Sequence, residues 1–259
     1  MRRRILAKAK SILVATMVVI LCVALLSSQV QSQNQNQSSE ALTPQQIDDV
    51  HAGLYSNSVM QLDKNGHPVP EIPRLLSSTS GDIYLNNVVA SGTSISADPP
   101  TNFAQFACYH DLVVVGTVGT GSSHMTSDKS FLYTNWGFSV DRIFKNNSSA
   151  PVQAGSSITV VAPGGNLQVN GRMVHAYDGR FPPLAPGQQY AMFFQLIPKT
   201  GAYQPRGGYA IFGAKIAGHG TMMNSIDVRE LDTSALLKLM ENAAWAATQM
   251  PDCKGGALK

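Results

Sequence analysis

Two hydrophobic spacings alternate along this chain. From Leu112 to Ile216 apolar residues recur at every second position or run together in short blocks, as strands require; on either side they recur every third or fourth, as helices require. Leu112 to Val118 is a near-continuous apolar run in which Gly116 allows a bend. Phe131 to Phe144 alternates, with Leu132, Thr134, Trp136, Phe138, Val140 and Phe144 on one face and Asn135, Gly137, Ser139 and Asp141 on the other. The first face reads as buried, with Trp136 and Phe138 in the core, and the second as wet. Such a long strand, with Gly137 near its middle, predicts a coiled strand serving two sides of a small barrel. Ile158–Ala162, Gln189–Ile197 and Gly208–Ile216 complete five main strands. Leu167–Val169 and Arg172–Val174 flank Asn170-Gly171, the dipeptide suited to the positive φ angles of a type I′ hairpin.

The helical spacing appears three times. Thr43 and Pro44 open a short helix whose Ile47, Val50 and Leu54 share a face. Asn102 and Gln105 open a second, with Phe103, Phe106 and Ala107 on one side, and Asp232 or Thr233 a third, which carries Leu236, Met240, Ala243 and Ala247 until Pro251 stops it. Residues 57–100 are rich in Pro, Gly, Ser and Asn; only Asp82–Val89 is strand-like there, so the segment is expected to wrap the domain. The predicted fold class is mainly β: a small five-stranded OB-like barrel with an extra hairpin, a short helix before its first strand and a C-terminal helix.

Composition adds a destination. Arg2, Arg3, Arg4, Lys8 and Lys10 precede an apolar run from Ile12 to Leu26, and Ser27 and Ser28 lead into Gln-rich sequence. That order predicts a signal peptide over residues 1–32, with Val30 and Ser32 at the small-residue positions of the cleavage site. The apolar run is shorter than the roughly 20 residues that span a bilayer, so no stable membrane anchor is expected after cleavage. Three parts follow: the signal (1–32), a polar, mostly irregular extension with one short helix (33–100) and the barrel with its C-terminal helix (101–259). The signal carries five of the 19 Lys and Arg residues and none of the 16 Asp and Glu, which leaves the mature chain at −2. Nucleic acid, which needs a basic patch, is excluded as a partner. Cys22 leaves with the signal. Of the two cysteines that remain, Cys108 and Cys253, a disulfide is expected in an oxidising compartment, with two free thiols as the alternative.

The stretch Phe106-Ala107-Cys108-Tyr109-His110-Asp111-Leu112-Val113-Val114 resembles the netrin-like domains and the tissue inhibitors of metalloproteinases. In that superfamily a cysteine ending a short helix precedes an acidic residue and an apolar first strand, and pairs with a cysteine near the end of the domain. Cys108, Asp111, Leu112 to Val114 and Cys253 hold those places here, and the resemblance, over roughly residues 101–253, implies an OB-type barrel. The inhibitors begin at a cysteine whose amino group reaches the protease zinc. Cys108 lies well inside this chain, so that mechanism does not carry over.

The chain is poor in catalytic equipment. No glutamate occurs from Ile72 to Arg229, and His51, His67, His110, His124, His175 and His219 form no His-Glu-x-x-His or other tight ligand set. His175 and Asp178 come closest to a pair, and strand geometry points His110 and Asp111 to opposite faces. There is no Gly-x-Ser-x-Gly elbow, and Gly119–Ser123, which lacks a phosphate-loop lysine, reads as a mobile hairpin loop. No catalytic residue, cofactor or metal is therefore expected. Phe131 and Tyr133, opposite Trp136 and Phe138 on the long strand, are the candidate binding surface. These signals predict a secreted or periplasmic, non-catalytic binding module that contacts another protein or an envelope component. The alternative is a secreted hydrolase whose site assembles from residues distant in sequence.

Overall fold

The computed structural model describes residues 41–56, 71–78, 80–87, 103–146, 149–179, 181–219, 231–250 and 253. The expected signal and its cleavage site, and His67, lie outside them. In chain order the elements are α1 (Pro44–Gly53), α2 (Ile72–Ser78), β1 (Ile83–Asn87), α3 (Phe103–Tyr109), β2 (Leu112–Met125), β3 (Leu132–Lys145), β4 (Ser157–Pro163), β5 (Gly165–Val169), β6 (Arg172–Asp178), β7 (Gln189–Leu196), β8 (Tyr203–Phe212), β9 (Lys215–His219) and α4 (Thr233–Gln249).

The class is mainly β. One sheet has the order β4-β3-β2-β7-β8-β9 and the other β1-β6-β5. Neighbours in the larger sheet are antiparallel, and a parallel pair, Val160 with Tyr203, joins β4 back to β8. Five strands thus come round in a ring that one residue pair closes, so the barrel is only partly shut. The short helix before β2 and the helix after the last strand are both present, and Asp232 caps the latter.

Three apolar clusters explain the pattern. Leu112 and Val114 of β2 join Phe138, Val140, Met192 and Phe194 within the ring, while Val113 and Val115 meet Phe193, Tyr209 and the faces of α3 and α4 outside it. A strand covered on both sides reads as a continuous apolar run, which is what Leu112–Val115 does. The third cluster lies at the other end of β3 and β4. There Tyr55, Ile72, Ile83 and Leu85 from the N-terminal segment cover Phe131, Leu132, Tyr133 and Val161.

Cys108 and Cys253 form the expected disulfide, their Cα atoms 5.1 Å apart, and tie α3 to the residues after α4. Lys145 Nζ donates to the carbonyls of Ala107 (2.8 Å), Cys108 (3.1 Å) and His110 (2.6 Å). A cation there meets carbonyls at and just beyond the C-terminal end of α3, the negative end of its dipole.

Four expectations are corrected. Gly119–Ser123 is not a loop: β2 runs through it, with register shifts that carry a bulge, and the residue paired with Trp136 is Gly121, where a side chain would run into the indole. Gly208–Ile216 is two strands, β8 and β9, since the chain turns back at Gly213, where φ is +65°. Helix α1 is capped by Thr43 as expected, in a box with Gln46, yet it buries His51 rather than Val50, and its following Tyr55 donates to the Val161 carbonyl at 2.9 Å. Residues 33–100 also hold a second helix, α2, which buries Ile72 and is anchored where the Ile72 amide donates to the Lys129 carbonyl.

Candidate functional site

The Asn170-Gly171 turn forms as expected, with φ of +51° and +77°, and sets β5 against β6. Upstream, Gly164 and Gly165 have φ of +86° and +141° and swing the chain from β4 across β2 and β3. The crossing is close: a side chain at Gly165 would strike the hydroxyls of Ser123 and Thr134. Here those hydroxyls form a chain. The Asn166 amide donates to Ser123 Oγ (3.2 Å), Ser123 Oγ to Thr134 Oγ1 (2.8 Å), and Thr134 Oγ1 to the Gly164 carbonyl (2.7 Å).

Beside this crossing lies a cleft of about 350 Å³. Trp136, Ser123, Thr134, Asn166 and Tyr177 line it together with Leu184 of the loop before β7. That loop is fixed where the Ala185 amide donates to Tyr190 Oη (3.1 Å), the Gly187 amide to the Val118 carbonyl (2.7 Å) and the Val118 amide to the Gln188 carbonyl (3.0 Å). Outside the cleft the small sheet continues as an exposed face. Tyr84, 68% exposed, stacks on His175 with ring centroids 4.7 Å apart, and His175 Nδ1 is 2.7 Å from Asn166 Oδ1.

The residues expected to form a binding surface are elsewhere. Phe131 and Tyr133 are 0% and 2% exposed, because the N-terminal segment and the small sheet cover that end of β3. Burial pushes the Tyr133 hydroxyl up to about 12, and the nearby carboxylates of Asp48 and Asp49 act in the same direction. Trp136, expected in the core, is half-buried and lines the cleft.

Among the described residues, no histidine or aspartate lines the cleft. His110 packs against Phe106 and Phe193, its Nδ1 on the Phe106 carbonyl, while Asp111 accepts the Leu196 amide at 2.8 Å. Burial lowers His110 to about 4, with the Phe106 carbonyl opposing the shift. His219 lies edge-on to Phe181 and Tyr190 and is likewise lowered to about 4 by burial. His175 and Asp178 fall on opposite faces of β6 by strand alternation. His124 stacks on Tyr133. No group of three or more His, Cys, Asp or Glu among the described residues is arranged to hold a metal.

Chemically, the cleft offers hydroxyl, phenol and amide groups beside aromatic rings, and no His, Asp, Glu, Lys, Arg or Cys lines it. The Ser123 proton is directed at Thr134, whose own proton goes to a carbonyl, so Ser123 has no base to activate it. Sequence reading passed over these residues because β2, β3, β5 and β6 meet only in the folded chain. The one signal was glycine at Gly121, Gly164 and Gly165, where backbones approach closely. No family model and no curated protein matches this chain.

Proposed function

We propose that this protein is an exported, non-catalytic binding module that engages an envelope component or a partner protein through the cleft beside Trp136. The observation that carries the reading is the cleft itself. Its size falls within the range of small-ligand sites, and its lining offers a ligand hydroxyl, phenol and amide groups with no His or carboxylate among them. Export is supported by the order of basic, apolar and small residues at 1–32 and by the Cys108–Cys253 disulfide, a bond at home in oxidising compartments. No helix among the described residues is long and apolar enough to cross a membrane. The resemblance to netrin-like domains draws support from the five-strand ring and from the same disulfide.

The test is a photoreactive side chain at position 177 in protein recovered from its own compartment. A specific adduct that disappears in a Trp136→Ala variant is expected. No adduct, or turnover of ester, peptide or glycoside substrates by the purified protein, would overturn the reading. Amino-terminal sequencing of the same material should start near Gln33; a start at Met1 would remove export.

A further inference from the structure

We infer that the cleft and the sheet face beside it take a neutral saccharide, an inference that rests on the binding-module reading above. The lining supplies no Lys, Arg, Asp or Glu, so a phosphate, a carboxylate or a cationic ligand would enter without a countercharge. An apolar chain fits no better, because it would strip water from Ser123, Thr134 and Asn166 without replacing its hydrogen bonds. An extended peptide adds to a sheet through backbone amides, and at this edge the Asn166 amide is already taken by Ser123 Oγ.

A sugar ring has what the lining asks for. Its C–H face packs on an aromatic plane, and its hydroxyls exchange hydrogen bonds with neutral hydroxyl and amide groups. The aromatic positions also extend beyond the cleft. Trp136 and Tyr177 lie in it, Tyr177 is 42% exposed, and His175 with the stacked Tyr84 continues the face outward along the small sheet. His175 is held by Asn166 and Tyr84 by His175, so the outer rings are positioned before any ligand arrives. A row of this kind suits several linked sugar units rather than a single one.

The experiment uses the full exported chain. The sequence has two tryptophans, and Trp245 is 69% exposed on α4, so Trp245→Phe leaves Trp136 as the fluorescent reporter. Titration with neutral hexasaccharides (a β-glucan, a chitin fragment, a mannan), with a polyuronate as charged control, should give a saturable change in Trp136 emission with at least one neutral sugar. Tyr177→Ala and Tyr84→Ala, both at exposed positions that leave the fold intact, should each weaken that binding by about three- to tenfold. The inference is overturned if no neutral sugar moves the emission, if only the polyuronate does, or if both tyrosine variants bind as the parent does. A protein adduct at position 177 without any sugar response would remove the saccharide and leave the binding module standing. Neither adduct nor sugar response would remove both. Release of shorter sugars would retain the saccharide and overturn the non-catalytic reading.

Discussion

The two ends of the β-ring are sealed in different ways, and their buried histidines show how. On the side of α3 and α4, His110 has a carbonyl for its Nδ1 and aromatic rings around it, and a disulfide fastens the two helices nearby. On the side of the N-terminal segment, the buried nitrogens of His51 and Oδ1 of Asn135 lie side by side without a hydrogen bond of full geometry among the described residues. Burial holds His51 below its usual value, opposed by the Asp48 carboxylate. The first end satisfies its histidine, although Tyr209 Oη in the same cluster has no partner among the described residues. The second accepts polar atoms without a well-formed hydrogen bond, which cost free energy in an interior.

The sharpest way to break this contrast is to cut the covalent tie. Replacing Cys108 and Cys253 by serine should lower stability by up to about 5 kcal/mol, the chain-entropy value for a loop this long, read as a drop in the urea midpoint. If the loss is near zero, packing alone seals the helical end.

Acid should act next. His110 is neutral in the fold, with a pKa near 4 against an ordinary value of 6.5. The unfolded chain therefore binds the proton first, and stability falls as pH drops from about 6.5 to about 4, then no further on this account. The loss should be roughly 3 kcal/mol. Urea midpoints across that range, compared with a His110→Phe variant that keeps only the share His219 and His51 contribute, check it.

The smallest effect should come from His51→Leu. Removing two buried nitrogens that lack a well-formed hydrogen bond, while keeping an apolar side chain in their place, should raise stability by about 1 kcal/mol. A loss instead would mean that the imidazole holds a partner, Asn135 or a buried water, which leucine cannot.

The same two ends differ in how legible they were. Phe103, Phe106 and Ala107, the Leu112–Val118 run, Leu236, Met240 and Ala243, and the two cysteines each announce a local period or pairing, and those elements meet as expected. The N-terminal end carries no such signal. Val50 and Ile47 fit a helical face better than His51 does, yet His51 and Tyr55 are the residues buried against β3. Phe131 and Tyr133 looked solvent-facing because alternation tells which residues share a face but not what covers it. Trp136 came out in the cleft for the same reason: its neighbours Gly165 and Asn166 are set by the crossing of β5, which no spacing within β3 encodes.

The parallel pairing of β1 with β6 bears on the order of assembly. Ile83 lies opposite Val174, far along the chain, whereas β5 and β6 are joined by a two-residue turn. A hairpin of that kind closes in about 1–10 μs, while a distant strand must meet the entropy of closing a long loop before any contact rewards it. Strand β1 is therefore expected to dock late, onto a hairpin already made. An element that joins after the folding barrier leaves the folding rate almost untouched and slows unfolding instead. On this account the N-terminal segment acts as a brake on opening, and the lifetime of the cleft's far wall depends on residues that do not line it.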